Sequence, residues 1–251
     1  MTQHSVEVFV GGFSLKERPP PLTLVLQPEE RHIDVADWRI IEGGRSSPIY
    51  WWATTLEGLR ANTAHVLELL WGGRGVASAQ VQTLPERLPL GDTGSGGQRP
   101  FTIWLSSCYS VRRSPEGLGA MLERVLSDAR ERPHFRCLVG DQVYLDELWM
   151  FIYSARSATR LRTRFNEQYT RTFSHPEFGQ LLRACGGIFL PDDHELWNNY
   201  PDAPFGVPLR GRRFWQMWLE LAFHERCRPI QNPRVTDIVK IGRDVSLFVA
   251  D

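Results

Sequence analysis

The sequence has few cysteines, no excess of charge and no long apolar run, and each absence narrows the possible classes of protein. Its 251 residues carry 29 Lys+Arg against 29 Asp+Glu, so bulk charge does not indicate a nucleic-acid-binding protein, although a local basic patch stays open. No run approaches the roughly 18 apolar residues that a membrane-spanning helix needs. We therefore expect a soluble globular protein.

The four cysteines (108, 137, 185 and 227) are widely spaced, and no two of them form a Cys-x-x-Cys pair. Cys137 lies within an apolar run and Cys185 beside a predicted helix end, where a thiol usually acts as a small buried apolar side chain. We expect reduced thiols in a cytoplasmic protein, with disulfides as the alternative. Residues 1–10 favour the same localisation, because they show neither a signal peptide nor a twin-arginine signal.

The first 85 residues have the alternation of apolar and polar side chains that is typical of strands. Valine occupies every second position over residues 6–10, and turn signals recur along the segment. Short strands at this spacing predict a β-sandwich over 1–85. Residues 55–85 resemble the closing strands of an immunoglobulin-like or fibronectin-type-III module, with Ala61 and His65 in place of the usual Pro and Tyr. We expect the tryptophans of this segment to pack in the core rather than to stack on a ligand.

Residues 86–100 are rich in Gly, Pro and Ser, which predicts a linker between two domains. No Lys-Ser/Thr pair and no helical pattern follow the glycines, so we expect a flexible connector rather than a phosphate-binding loop. From residue 101 the pattern becomes α/β. The predicted organisation is a β-sandwich over 1–85, a linker over 86–100 and an α/β domain over 101–251.

The α/β segment begins with a predicted strand–helix–strand unit. An apolar strand over 102–108, which ends in Ser-Ser-Cys, is followed by a helix that begins near Pro115, and the next strand is the 136–141 run. Such a unit is expected to be right-handed with parallel strands. Both strand ends then lie at one edge of the sheet, which predicts that Cys108 lies near Asp141.

Three predicted strands end in side chains suited to metal binding. Cys108 follows the first strand, Asp141 and Tyr144 follow the second, and Asp193 and His194 follow the third. Oxygen ligands with a thiolate suit iron or zinc beside a second, oxygen-preferring cation. Two metals roughly 3.5–4 Å apart would bind a phosphate and activate water.

Each of these residues has a predicted role. Asp141 is the natural bridging carboxylate, Tyr144 a phenolate ligand that favours ferric iron, Cys108 a thiolate ligand and Asp193 a ligand of the second metal. His194 would stabilise charge on a phosphoryl oxygen or protonate a leaving group. The alternative for each motif alone is structural, since a Gly-Asp turn or an exposed acidic turn is common. Their combination at three strand ends is more specific.

The motifs resemble those of the alkaline phosphatase D (PhoD-like) family of the metallophosphoesterase superfamily. Ser107-Cys108 is similar to the family's "SC", residues 140–146 (GDQVYLD) to its "GDQIYAD", and residues 192–199 (DDHELWNN) to its "DDHE-x-x-NN". The resemblance implies an immunoglobulin-like β-sandwich followed by the first half of an α/β metallophosphatase domain. It also implies hydrolysis of a phosphate ester with iron (Fe3+) and calcium (Ca2+).

On these positions the resemblance implies metal binding by Cys108, Asp141, Tyr144 and Asp193, and catalysis by His194. Five neighbours remain candidates for supporting the ligands: Asp146, Asp192, Glu195, Asn198 and Asn199. The family continues past the position of Asp251 into a second half with a further "GD-x-H" segment, so we expect a fragment with an incomplete site. The alternative is a non-catalytic binding or interaction protein that retains the fold.

Overall fold

The computed structural model describes residues 1–88, 100–112, 115–128, 130–148, 157–202, 212–227, 236–241, 243 and 245–250. The predicted linker at 86–100 therefore falls largely outside the described residues. None of the helices in these ranges is long and apolar enough to cross a membrane.

The first 88 residues form seven antiparallel strands in two sheets. The strands are β1 (Ser5–Gly12), β2 (Leu22–Gln27), β3 (Arg31–Val35), β4 (Arg39–Ile41), β5 (Ile49–Glu57), β6 (Ala64–Trp71) and β7 (Arg74–Gln82). One sheet has the order β1-β5-β4 and the other the order β3-β2-β6-β7. The chain passes from one sheet to the other after β1, after β3 and after β5, so crossover connections as well as hairpins join the two sheets.

Apolar side chains from both sheets meet in one core. Val6 and Val8 of β1 contact the same cluster as Leu26 of β2 and Leu67 of β6, because alternate residues of a strand point to one face. The predicted alternation in β1 is therefore confirmed. Trp38 and Trp52 also lie in this cluster, and Trp51 packs against a second one, as expected of large aromatic side chains.

The second part of the chain alternates strands and helices. Its elements are β8 (Ile103–Ser106), α1 (Pro115–Ser127), β9 (Phe135–Val139), α2 (Ala158–Phe173), α3 (Pro176–Ala184), β10 (Gly187–Leu190), α4 (Arg212–Leu219), β11 (Thr236–Ile241) and β12 (Val245–Ala250). The sheet order β10-β9-β8 is parallel throughout. The predicted parallel strand pair is therefore confirmed, and β9, which leads to Asp141, is the central strand.

The sequence also predicts a helical segment over 150–184 with a helix entry at His175, a helix over 212–226 and an apolar strand over 245–251. The described part of the first segment, from residue 157, is helical. The entry at His175 is confirmed, since one helix ends at Phe173 and the next begins at Pro176, and the residue before a proline is biased away from helical backbone. The helix predicted over 212–226 is α-helical only to Leu219 and then continues as a π-helical segment, Glu220–Cys227. The predicted last strand is present as β12, but it forms an antiparallel hairpin with β11.

The two parts of the chain share a core. Ile41 and Ile49 of the first sheet belong to the same apolar cluster as Leu161 and Phe165 of α2. The loop between β4 and β5 also bonds to α2, through Arg45 N–H and Thr163 Oγ1 at 2.8 Å. These contacts hold the β-sheets against the helical side of the parallel sheet.

Candidate metal centre

The carboxyl end of β9 makes a sharp turn that points Asp141 across the edge of the sheet. Gly140 and Asp141 both have positive φ, +89° and +60°. Gly140 also lies so close to the loop after β10 that an added Cβ would be 2.1 Å from Asp192 Cβ. Only glycine tolerates both the left-handed backbone and this close approach.

Cys108 reaches the same point from β8. Its N–H donates to Gly140 O at 3.3 Å, and its thiol Sγ lies 3.2 Å from Asp141 Oδ2. The residue has φ of +59° and is exposed. The structure therefore places Cys108 beside Asp141, as the parallel strand ends predict.

The two carboxylate oxygens of Asp141 face different loops. Oδ2 lies beside the Cys108 thiol, and Oδ1 accepts the N–H of His194 at 3.4 Å. Burial raises the pKa of Asp141, while the Cys108 hydrogen bond and the charge of His194 act in the opposite direction. A carboxylate with one oxygen toward each loop has the orientation that a bridging ligand needs.

Asp193 and His194 lie on a single 3-10 turn, Asp193–Glu195, directly after β10. Asp192 caps this turn by accepting the N–H of Asp193 on Oδ1 at 2.8 Å. One ligand atom from each of Asp141, Asp193 and His194 lies within 4.8 Å of the other two. These three residues therefore form a candidate cation site.

His194 is oriented by a second carboxylate. Its Nδ1 lies 2.6 Å from Oδ2 of Asp146, and that oxygen also accepts the N–H of Asn198 at 3.0 Å. Burial alone would lower the pKa of His194, but the charge of Asp146, the hydrogen bond to it and the charges of Asp141 and Asp193 together raise it. Asp146 Oδ1 is buried and has no hydrogen-bond partner among the described residues.

Tyr144 packs its ring against the imidazole of His194, with ring centroids 4.3 Å apart. Burial raises the pKa of Tyr144, and the negative charge of Asp141 and a hydrogen bond with Cys108 raise it further. The phenol is therefore neutral unless a cation offsets these effects. Its hydroxyl interacts with Cys108, so the phenol lies on the same side of Asp141 as the thiol.

Glu195 is fully buried and connects the two loops that carry the acidic residues. Its carboxylate accepts the N–H groups of Asp141, Gln142, Val143 and Asp192 at 2.7 to 3.0 Å. Burial, its largest influence, raises the pKa of Glu195 to about 7, while the N–H groups act in the opposite direction. The sequence marked Glu195 and Asp146 only as supporting candidates, since adjacency to a motif does not reveal which groups a side chain contacts.

The five residues predicted from the strand ends are all present at this edge of the sheet. Asp141, Asp193 and His194 form the group described above, and Cys108 and Tyr144 adjoin Asp141. The set offers carboxylate, imidazole, phenol and thiol donors, which fits a transition metal beside a cation that prefers oxygen. The unpartnered oxygen of Asp146 adds a buried acceptor next to the site.

A similar fold is found among solved structures, but not through sequence comparisons. No protein-family model and no curated protein matches the sequence. Among solved structures, one titled "Structure of PhoD" aligns with 98% of this chain at a TM-score of 0.63 and 15% identity. A second, an amylomaltase from Corynebacterium glutamicum, aligns at a TM-score of only 0.21. The chain spans about half of the PhoD chain, 49% of its length, and shares its fold over that span.

Proposed function

We propose that this chain is part of a metal-dependent phosphoesterase that hydrolyses a phosphate monoester or diester with metal-activated water. One observation carries the proposal: ligand atoms of Asp141, Asp193 and His194 lie within 4.8 Å of one another at the edge of a sheet similar to that of PhoD. Three parallel strand ends deliver these residues to one place, where α/β proteins commonly bind ligands.

The metal-binding residues in this proposal are Cys108, Asp141, Tyr144 and Asp193. A ferric ion beside the thiol and phenol, with calcium on the oxygen side, agrees with the ligand preferences of the two ions. The bound metals would lower the pKa of a water molecule and offset the charge of the phosphate. Asp141, with its oxygens facing opposite loops, would contact both ions.

His194 acts on the phosphate ester in this proposal. Asp146 holds Nδ1, so the other ring nitrogen, Nε2, is left to contact the substrate. Because the pKa of His194 is raised, the imidazolium persists to a higher pH and Nε2–H donates to a phosphoryl oxygen or to the leaving group. The Tyr144 ring, which packs against the imidazole at a tilt of 34°, limits its rotation.

The finer description of the fold belongs to the same proposal. The first two sheets would be an immunoglobulin-like module, since their orders, β1-β5-β4 and β3-β2-β6-β7, alternate sheets as such modules do. The parallel sheet would be the first half of a metallophosphatase domain, which agrees with alignment to 49% of the PhoD chain.

Hydrolysis of p-nitrophenyl phosphate and bis(p-nitrophenyl) phosphate tests the proposal. The protein is supplied with iron and calcium, and Asp141→Asn and His194→Ala are compared with Asp34→Asn, an exposed carboxylate on β3. We expect weak hydrolysis that both site variants abolish and the control retains. Hydrolysis unaffected by Asp141→Asn would refute the proposal.

A non-catalytic binding protein is the second candidate. The ligand atoms of Asp141, Asp193 and His194 lie close enough to hold a cation whether or not a phosphate ester is hydrolysed there, and this observation supports it. Such a protein would bind a cation and inorganic phosphate without turnover. Phosphate binding that depends on Asp141, with no hydrolysis of either ester, would support this candidate.

A further inference from the structure

The carboxylate of Glu195 joins the loops after β9 and β10, beyond the end of the parallel ladder that pairs these two strands. The parallel ladder of β9 and β10 ends at the Val139–Leu190 pair. Beyond that pair, Glu195 Oε1 accepts the N–H groups of Gln142 and Val143, both at 2.7 Å. Oε2 accepts the N–H of Asp141 at 3.0 Å and that of Asp192 at 2.9 Å.

These four hydrogen bonds come from both sides of the candidate site. Asp141, Gln142 and Val143 belong to the loop after β9, whereas Asp192 and Glu195 itself belong to the loop after β10. Glu195 is completely buried, so water does not compete for its oxygens. Losing a buried acceptor would leave these backbone N–H groups without a partner, which is costly in the interior of a protein.

Three residues of the proposed site, two ligands and the catalytic histidine, are direct neighbours of this junction. The N–H of Asp141 is one of the four donors, and His194 and Asp193 immediately precede Glu195. A change in the separation of the two loops would therefore change the distance from Asp141 to Asp193 and His194. Asp192 Cβ, packed against Gly140, limits how closely the loops approach.

We propose that Glu195 is a positioning residue that sets the separation of the two cation-binding loops before any cation binds. The inference rests on the proposed metal site, but it concerns a residue that contacts neither the cation nor the substrate. Hydrogen bonds to Glu195 hold the two loops together, so the site is already formed when a cation binds, and the cation does not have to order the loops.

Glu195→Gln is the informative substitution because it preserves the shape of the side chain. Each carboxylate oxygen accepts two N–H groups, and an amide nitrogen in place of one oxygen would face two donors. One pair of donors is then lost. Glu225→Gln is the matched control, because Glu225 accepts from Arg162 at 2.8 and 3.1 Å on the π-helical segment.

The first measurement is calorimetric titration with Mn2+ alone, at a temperature where circular dichroism shows each variant to be folded. We expect Glu195→Gln to weaken Mn2+ binding by about 10- to 100-fold, a typical effect of losing a residue that supports metal ligands. Glu225→Gln should bind as the wild type does. Equal affinity in Glu195→Gln and the wild type, or equal losses in both variants, would overturn the inference.

The second measurement is amide hydrogen exchange of the metal-free protein, which does not depend on cation binding. We expect faster exchange at residues 141–143 and 192 in Glu195→Gln and unchanged exchange there in Glu225→Gln. If the wild type binds no Mn2+, the proposed function fails, and the exchange result still decides the role of Glu195. Unchanged exchange at residues 141–143 would overturn the positioning role of Glu195.

If Glu195→Gln does not fold, Glu195→Asp gives the same comparison, because it keeps the carboxylate but is too short to reach both loops.

Discussion

The Nδ1 atom of His194 lies 2.6 Å from Oδ2 of Asp146, across 48 residues of sequence. The backbone reinforces this pair, because Leu145 N–H donates to His194 O at 2.9 Å. The loop after β9 thus carries Asp141 and also the carboxylate that orients the imidazole on the loop after β10. One loop fixes both the proposed metal ligand and the proposed catalytic histidine.

Asp146→Asn should lower the pKa of His194. Burial favours the neutral imidazole, and the charge of Asp146 is the largest influence in the opposite direction. Without that charge, the lowering of the His194 pKa by burial is less fully offset, so the imidazolium loses its proton at a lower pH. NMR titration of the His194 ring protons measures this, with Asp34→Asn as the control. An unchanged His194 pKa in Asp146→Asn would contradict the account of this pair.

Gly140→Ala should destabilise the protein more than Gly58→Ala. Both glycines have positive φ, +89° and +75°, so both substitutions incur the backbone cost of about 1 kcal/mol. Only at Gly140 would the new Cβ clash, 2.1 Å from Asp192 Cβ, whereas nothing lies within 4 Å at Gly58. We expect a further loss of about 1–3 kcal/mol for Gly140→Ala in urea unfolding. Equal losses in the two variants would show that the loops do not touch there.

Thiol labelling of the native protein should distinguish three of its four cysteines. Cys108 is exposed, whereas Cys137 and Cys185 are 5% and 3% exposed. Iodoacetamide should therefore modify Cys108 in the folded protein, and Cys137 and Cys185 only after denaturation, as peptide mass spectrometry can measure. A bound metal that uses the thiolate should protect Cys108. Rapid labelling of Cys137 in the native state would contradict its position in β9.

Burial of Cys137 should make stability fall at alkaline pH. Burial raises the pKa of this thiol from the ordinary value of 9.0 to about 11. The unfolded chain therefore ionises first, so the contribution is complete below pH 9 and is lost as the pH rises from 9 to 11. We expect a loss of about 1–2 kcal/mol across this window.

Cys137→Ala removes the part of the pH dependence of stability that the Cys137 thiol causes, whatever the effect of the substitution on stability at neutral pH. The free energy of unfolding, measured in urea from pH 8 to pH 10.5, should decline less steeply in the variant than in the wild type. Parallel slopes would show that the thiol does not remain neutral in the folded protein.

Local sequence patterns predict the parts of the fold that depend on local periodicity. The alternation at Val6 and Val8 indicates β1, and the order strand–helix–strand is enough to predict a parallel pair, because right-handed crossovers are strongly preferred. Parallel strand ends share one edge, which is why the nearness of Cys108 to Asp141 follows from sequence alone.

Contacts that depend on tertiary packing do not follow from such patterns. The four N–H donors that meet Glu195 come from two separate loops, and no spacing in the sequence indicates their convergence. The change from α-helix to π-helix after Leu219 has no residue signal that we can identify. The antiparallel partner of β12 is β11, a segment whose strand character the sequence pattern did not indicate.

The most direct test of the central claim is the metal content of the folded protein after reconstitution with iron and calcium. The account predicts stoichiometric iron, a visible charge-transfer band from the Tyr144 phenolate, and loss of both in Asp141→Asn. Asp34→Asn, on β3, should retain both. Folded wild-type protein without tightly bound metal, or the same metal content in Asp141→Asn, would contradict the claim that these strand ends form a metal centre.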